Sequence, residues 1–360
     1  MIGGGIVGIN AALRLRETHP DANIVVLERG NIPAGASTRN AGFACFGSPT
    51  ELLEDVETMG WAAMLRLVRQ RWSGLNRLRS LLGDQALAYK NYGGYEIFPQ
   101  DREEEFRRTE AQLDLLNRRL ASVLPHSEVF EVTTQNLPSG IRYGIKNHLE
   151  GQLHPGRMMA AFHRLAHEKR IRLLYGMDVD TWQESDGGVL LNGGNFSLKT
   201  IRLLVATNGF ARQLLPDLAL RPARNQVLVT EPIPGLTLHG CYHLNRGYVY
   251  FRNVGNRVLL GGGRHLAKKE ETTTEFGQTD IIRNYLEKLL SELILPNRTY
   301  TIAQTWSGIM GVGDTKVPIV RRVSERIGVA VRLGGMGVAI GSEIGNELAE
   351  LMRKPDHPVR

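Results

Sequence analysis

Three glycines close to the start of the chain constrain its fold most. Gly3, Gly5 and Gly8 stand at G-x-G-x-x-G spacing, and a helical run follows them. At this spacing the first glycine permits a tight strand-to-helix turn, the second admits a pyrophosphate and the third lets helix pack on strand. Glu28 closes the next apolar stretch, where a carboxylate can accept hydrogen bonds from a ribose. The pattern predicts a dinucleotide-binding βαβ unit.

The strand that should precede these glycines is short. Only Met1 and Ile2 stand before Gly3, whereas strands usually run about five or six residues. Either most of the first strand is missing from the sequence or the strand is a stub. Both alternatives would weaken binding of the dinucleotide, and a protein without bound cofactor stays open as an alternative.

Length and composition favour a large cytoplasmic protein. With 360 residues and 42% hydrophobic content, the chain can bury a sizeable core and is expected to form two domains. Two cysteines, Cys45 and Cys241, argue against a disulfide scaffold. Neither has the spacing of a zinc or iron–sulfur site, so we expect no metal. We expect no signal peptide before the glycines, and no apolar run approaches the ~20 residues of a transmembrane segment.

The net charge of +7 raises the question of a nucleic-acid partner. The basic residues are mixed with acidic ones, as in the run 102–108, which is typical of a solvated helix face. No basic patch is interleaved with aromatic residues. The charge pattern therefore argues against nucleic acid, and an RNA-acting or RNA-binding flavoprotein is kept only as an alternative.

Periodicity places helices and strands along the chain. Helices are predicted over residues 8–16, 50–82, 102–122, 156–168, 280–293 and 342–352. Strands are predicted over residues 23–27, 92–98, 171–175, 188–191, 201–206, 226–230, 247–252, 257–260 and 327–331. The fold class is therefore α/β. A Rossmann-like domain is expected from residues 1–90, 150–222 and 306–360, and an α+β substrate domain with a mostly antiparallel sheet from 91–149 and 223–305.

A segment of small residues, 33–43, follows Glu28 and its strand. Its small side chains permit close approach of the backbone to a ligand. The Ser37 hydroxyl and the Arg39 guanidinium suit a pyrophosphate. The position of the segment favours a role in cofactor binding over that of an ordinary polar connection.

These motifs together resemble the FAD-dependent oxidoreductases of the D-amino-acid oxidase superfamily, in the branch of glycine oxidase and sarcosine oxidase. The resemblance covers essentially the whole chain. It rests on the glycines 3–8, on residues 27–29, 35–42, 151–155 and 206–209, on Trp306-Ser307-Gly308 with Asp314 and Pro318, and on the glycine cluster 334–337. It implies a Rossmann-like FAD-binding domain with a second domain over it.

The resemblance also assigns residues to FAD. Glu28 would bind the adenosine ribose, Val179 the adenine, and residues 334–338 the N1–C2=O edge of the flavin, where helix N–H groups stabilise negative charge. The full set that we expect to bind the cofactor is Gly3, Gly5, Ile6, Val7, Gly8, Glu28, Arg29, Ala36, Ser37, Arg39, Asn40, Ala41, Gly42, Phe43, Val179, Ala206, Thr207, Gly209, Gly334, Gly335, Met336, Gly337 and Val338.

The chain departs from this branch at the substrate end. Glycine oxidase-like enzymes hold the substrate carboxylate with two arginines, and Met310 and Gly335 stand at those positions here. No cysteine lies near Met310, so the resemblance implies FAD that is bound without a covalent link. A lysine that promotes the oxygen reaction in sarcosine oxidase-like enzymes is replaced near Leu259, which leaves oxygen or a quinone open as acceptor.

Three residues are the candidates for substrate contact. Tyr250 lies on a strand whose alternation also places Tyr248 and Arg252 on the same face. His265 follows Arg264 after the next strand and would sit at the mouth of the cavity. Arg332 ends the last strand, where it could replace the missing clamp. For each of them a packed or surface position is an equally open alternative.

Two further features are interpreted as structural. His154 is expected where a helix begins behind the cofactor. Met158, Met159 and Phe162 form an apolar stripe that fits a core.

We therefore expect an FAD-dependent oxidoreductase that oxidises a C–N bond of a small amine or amino acid. Hydride would pass to flavin N5, and the imine would then hydrolyse. No general base is needed, because a neutral amine can give hydride once it is positioned and desolvated. The alternative within the same fold is a quinone-linked dehydrogenase of a D-amino acid or hydroxy acid.

Overall fold

The computed structural model describes residues 1–353, which form two main sheets with helices packed around them. The helices are α1 Ile6–Thr18, α2 Ala36–Arg39, α3 Pro49–Leu82, α4 Asp84–Leu87, α5 Glu103–Glu110, α6 Leu113–Leu120, α7 Pro155–Glu168, α8 Asp280–Leu289 and α9 Gly337–Arg353. The strands are β1 Val25–Glu28, β2 Phe43–Ala44, β3 Gly94–Phe98, β4 Phe130–Thr133, β5 Tyr143–Asn147, β6 Gly151–Gln152, β7 Arg172–Tyr175, β8 Thr181–Ser185, β9 Gly188–Gly193, β10 Phe196–Thr200, β11 Leu203–Val205, β12 Arg221–Thr230, β13 Cys241–Leu244, β14 Val249–Val254, β15 Arg257–Gly262, β16 Ile302–Val312, β17 Ile319–Arg322 and β18 Ile327–Val331.

The first sheet is parallel around its centre. β1 pairs with β7, and β11 pairs with β18, in parallel register. Ile2 joins these two pairs through parallel bridges to Leu27 and Val205, and its N–H donates to Leu204 O at 2.9 Å. The expected stub of the first strand therefore occupies the central position of this sheet. β17 adds an antiparallel edge beside β18.

The second sheet has eight strands in the order β16-β12-β15-β14-β13-β3-β5-β4. All neighbours are antiparallel except β13 and β3. One face packs its apolar side chains, such as Tyr242 and Phe251, against α8 through Ile282 and Leu286. The opposite face carries Tyr250 and Val227 and lines a cavity. The mixed α/β class with a mostly antiparallel second sheet is thereby confirmed.

Most predicted elements are present, with shifted ends. The long helix over 50–82 is confirmed as α3, although Gly60 at φ 78° interrupts its regular geometry. The predicted helix 102–122 is divided into α5 and α6, and ion pairs such as Arg107 with Glu110 cover α5 as expected. The strand expected from Gly247 begins at Val249, because Gly247 at φ 79° lies in a turn. The large sheet draws on residues 94–147 and 221–312, and the domain boundaries stay a prediction.

Candidate active site

An elongated cavity of about 480 Å³ lies between the two sheets. At one end it is lined by residues that follow the parallel strands, such as Glu28, Ala206 and Leu333. At the other end it is lined by Val227 and Tyr250 from the large sheet. Ligands of open parallel sheets bind at the carboxyl ends of the strands, so the first end is the natural place for a dinucleotide.

Backbone groups hold Glu28 at this end. Its Oε2 accepts a hydrogen bond from Gly4 N at 3.0 Å, and its Oε1 accepts from Gly30 N at 3.1 Å. Ser37 Oγ accepts from Ile6 N at 3.0 Å in the first turn of α1. The N-terminus of α1 thus opens onto the cavity with its positive dipole end beside small side chains.

The backbone around the glycine motif is closely packed. A Cβ on Gly3, which has φ 106°, would lie 2.6 Å from Ala206 O. A Cβ on Gly8 would lie 2.0 Å from Gly3 O, so this glycine packs helix on strand, as the motif predicts. Gly8 does not line the cavity, and neither does Gly209, whose Cβ would lie 2.6 Å from Met310 O. All other expected cofactor residues line it.

Two further observations indicate that the cavity fits FAD. Thr207 Oγ1 is buried at its wall with no hydrogen-bond partner within the described chain, which leaves it free for a ligand. A second helix N-terminus, that of α9, faces the same space, and Gly334 and Gly335 before it adopt φ 58° and 87°. A carboxylate, two helix N-termini and an unpaired hydroxyl match the groups of a dinucleotide.

The loop of residues 39–43 is fixed from both sides. Arg39 donates to Ala34 O at 2.9 Å and stacks on Phe276, so its guanidinium has partners within the protein. Trp306 Nε1 donates to Arg39 O at 2.9 Å. From the large sheet, buried Arg252 donates to Ala41 O and, at 3.3 Å, to Leu153 O. Burial lowers the pKa of Arg252, and its role is to hold this loop.

Tyr250 lies on the cavity face, as its alternation predicts. Its hydroxyl accepts from Asn225 Nδ2 at 3.2 Å, and no acceptor for its proton is present among residues 1–353. Gly261 lies opposite on β15, where a Cβ would be 2.7 Å from the tyrosine ring. The Phe43 ring contacts Tyr250 edge to face at 5.3 Å. Burial raises the pKa of Tyr250 far above 10, so the phenol stays neutral and can donate.

The cavity wall beside Tyr250 carries a buried ion pair that the sequence did not indicate. His243 on β13 stands directly opposite Tyr250, and its Nε2 lies 3.4 Å from Glu150 Oε2. Glu150 Oε1 accepts from Phe46 N at 2.9 Å and from Gly47 N at 3.2 Å. Burial alone would lower the pKa of His243, but Glu150 outweighs it and raises this pKa to about 9. An imidazolium therefore lines the cavity at neutral pH.

Cys45 joins His243 and Glu150 in a group whose ligand atoms lie within 4.8 Å of one another. Burial raises the pKa of the Cys45 thiol well above its ordinary value. A neutral thiol and a positive imidazole oppose the binding of a cation here. The contacts therefore indicate an ion pair between His243 and Glu150, with the Cys45 thiol beside it.

Two predicted substrate residues do not reach the cavity. The Arg332 guanidinium donates to Val317 O at 2.8 Å and to Ala219 O at 2.9 Å, so these carbonyls hold it away from the cavity. His265 packs against the rings of Tyr248 and Tyr285 instead of lining the space. The expectations for Arg332 and His265 are therefore corrected.

The structural interpretations are confirmed. His154 precedes α7, and its Nδ1 accepts from Arg157 N at 3.3 Å as a helix cap. Met158, Met159 and Phe162 belong to the core around α1 and α9. No helix within residues 1–353 is long and apolar enough to cross a membrane.

The positions of the two missing arginines are neighbours at the cavity wall. Met310 and Gly335 both line the cavity, and a Cβ on Gly335 would lie 3.3 Å from Met310 Sδ. This part of the wall is therefore apolar and carries no charge of its own.

Comparison with known structures supports the fold. L-proline dehydrogenase from P. horikoshii superposes with a TM-score of 0.77 at 19% identity, over 99% of this chain and 94% of that one. Glycine oxidase from Geobacillus kaustophilus gives 0.74 at 17%, over 99% and 94%. Iminodiacetate oxidase from Chelativorans sp. BNC1 gives 0.72 at 19%, over 100% and 96%. A comparison with curated protein sequences gave no match.

The sequence itself places the chain in a family. The profile of the FAD dependent oxidoreductases of the DAO type matches residues 1–351, almost the whole chain. FAD is the cofactor of that family, and the glycine motif, Glu28 and the two helix N-termini form a cavity that fits it. The chain therefore belongs to the DAO family of FAD-dependent oxidoreductases.

Proposed function

We propose that this protein oxidises a C–N bond of a small amine or amino acid. The observation that carries the proposal is the cavity wall opposite the nucleotide end. There the neutral Tyr250 and the His243 imidazolium are partners on neighbouring strands, and the Phe43 ring contacts both side chains. Structures similar to this chain include a glycine oxidase, an iminodiacetate oxidase and an L-amino acid deaminase. Their common chemistry supports amine oxidation at this site.

Catalysis in such a site depends on positioning and on exclusion of water. Tyr250 holds its proton and offers it to a polar atom of the substrate, while Asn225 fixes the hydroxyl. Phe43 and Val227 supply the apolar surface beside it, and a dry site strengthens each polar contact. FAD, when bound, accepts the electron pair of the C–N oxidation.

Anaerobic reduction of the bound flavin tests the proposal. The holoenzyme is mixed with a panel of amines, glycine derivatives and L- and D-amino acids, and bleaching of the flavin absorbance is followed. At least one compound should bleach it. Reduction by hydroxy acids alone, or by none of the compounds, would reject C–N oxidation. Peroxide formation in air then separates an oxidase from a quinone-linked dehydrogenase.

Tyr250→Phe tests the role of the hydroxyl. Because it removes one hydrogen bond and keeps the ring, we expect the rate of flavin reduction at low substrate to fall about tenfold. FAD content should not change. An unchanged rate would show that the Tyr250 hydroxyl does not contact the substrate.

We further propose that FAD is bound without a covalent link and that the protein works in the cytoplasm. Met310 stands where a covalent branch would need a cysteine, and Cys45 and Cys241 are both free and buried. Denaturation should release all of the flavin into the supernatant. Flavin that stays with the precipitated chain would contradict binding without a covalent link.

A further inference from the structure

Half of the cationic side chains along the cavity wall are paired with carboxylates of the protein. Six cationic side chains line the cavity: Arg29, Arg39, His243, Arg246, Arg264 and Lys316. Lys316 pairs with Asp55 at 2.7 Å and with Glu51 at 3.1 Å. Arg246 pairs with Glu54 at 2.9 Å. Because these cations already have carboxylate partners, they offer little attraction to an anionic ligand.

The remaining cations divide between the two ends of the cavity. Arg29 follows Glu28 at the nucleotide end and lies 4.0 Å from the centre of the Phe210 ring. Arg39 is held by backbone carbonyls and by Phe276. Arg264 is different, since its side chain makes no hydrogen bond, no ion pair and no ring contact to any residue within 1–353.

Arg264 belongs to the substrate end of the cavity. It follows Gly263, whose φ of 77° turns the chain out of β15. Gly263 N donates to Tyr248 O at 3.0 Å, which sets Arg264 beside the start of β14. Tyr250 lies two residues after Tyr248, and its partner on β15 is Gly261, three residues before Arg264. Tyr250 and Arg264 line the same cavity.

Arg264 is half-buried, and no carboxylate within residues 1–353 pairs with its guanidinium. We propose that Arg264 binds a carboxylate of the substrate and so takes over the function that Met310 and Gly335 cannot provide. A single guanidinium matches one carboxylate in charge and in its bidentate geometry. The inference rests on the proposed function and narrows its substrates to carboxylates, that is, to amino acids instead of simple amines.

Binding of substrate-like probes tests this assignment without turnover. Benzoate and benzamide have the same shape and differ in charge, and each is titrated into the oxidised holoenzyme while the flavin spectrum is recorded. The wild type should bind benzoate more tightly than benzamide. Arg264→Gln should weaken benzoate about 10- to 100-fold and leave benzamide unchanged. Arg264→Lys should restore part of the preference.

Lys268→Gln is the matched control. Lys268 is an exposed cation near Tyr248 that does not line the cavity, so this variant removes the same charge from the same region. It should bind benzoate as the wild type does. An equal loss in Lys268→Gln and Arg264→Gln would show a general field effect and overturn the assignment.

Further outcomes separate this inference from the proposed function. If Arg264→Gln binds benzoate normally, or if the wild type does not prefer benzoate, the carboxylate site is rejected even when amines bleach the flavin. If inorganic phosphate binds more tightly than benzoate, the carboxylate assignment is also rejected. If benzoate binding depends on Arg264 but no amine or amino acid reduces the flavin, the anion site stands and C–N oxidation fails.

Discussion

Glu150→Gln should change how the stability of the protein depends on pH. The substitution keeps an oxygen for the N–H groups of Phe46 and Gly47 but removes the charge that faces His243. In the wild type the pKa of His243 rises from 6.5 to about 9, which corresponds to about 3 kcal/mol of stability. Without the Glu150 charge, burial is opposed only by the charge effects of Cys241 and Glu96, so the pKa of His243 should fall.

The sign of the effect follows from proton binding. The folded protein holds the His243 proton more tightly than the unfolded chain does, so the contribution is complete below pH 6.5 and is lost as pH rises through about 9. At pH 7 the variant should be less stable by about 3 kcal/mol. The difference should become small above about pH 10, where His243 is neutral in both proteins.

Nearby groups titrate outside most of the range between pH 6.5 and about pH 9 in which His243 acts. Burial raises the pKa of Glu96 to about 7, against hydrogen bonds from Thr50 and Ser48. The contribution of Glu96 to the free energy of unfolding is therefore complete below pH 4.5 and lost as pH rises through about 7. The pKa of Cys45 lies well above its ordinary value, which keeps the thiol neutral. Because the other titrating groups are present in both proteins, the difference in stability between wild type and variant from about pH 7 to about pH 9 reports on His243.

Urea unfolding of the FAD-bound wild type and variant, at a series of pH values from about 6 to about 10, measures the effect. His243→Gln serves as control, because it removes the titrating group and should lack the loss of stability near pH 9. If Glu150→Gln loses stability in parallel with the wild type between about pH 7 and about pH 9, the His243–Glu150 pair is not charged as described.

Two other substitutions test packing and buried charge. Gly8→Ala places a methyl group 2.0 Å from Gly3 O, a backbone atom that cannot move aside, so the purified variant should lose bound FAD. Gly194→Ala, with nothing within 4 Å, is its control, and full flavin absorbance in both variants would contradict the packing. Glu271→Ala should lower the free energy of unfolding by about 3–5 kcal/mol, because it leaves buried Arg224 without its bidentate partner at 2.9 Å. A loss under about 1 kcal/mol in urea unfolding would contradict this expectation.

The nucleotide end of the cavity was predictable because its chemistry is local. Gly3 and Gly8 are required by backbone conformation and close approach, and Glu28 is placed by the strand that it ends. The same holds for His154, which caps the helix that directly follows it. Rules that act over a few residues suffice for such positions.

The substrate end was predicted only in part. Alternation along one strand placed Tyr250 correctly on the cavity face. Arg332 was misplaced because its partners, Ala219 and Val317, are brought to it by the folding of separate segments. Arg332 also adopts a φ of 66° directly after β18, which no periodicity indicates.

The sequence by itself therefore determined the family, the dinucleotide turn and the class of fold. Only the tertiary structure decided which charges meet at the cavity. His243 faces Tyr250 through the register of β13 on β14, and Glu150 reaches His243 from a turn far away in the chain. Register and side-chain pairing depend on contacts between distant segments, and the substrate end is built from such contacts.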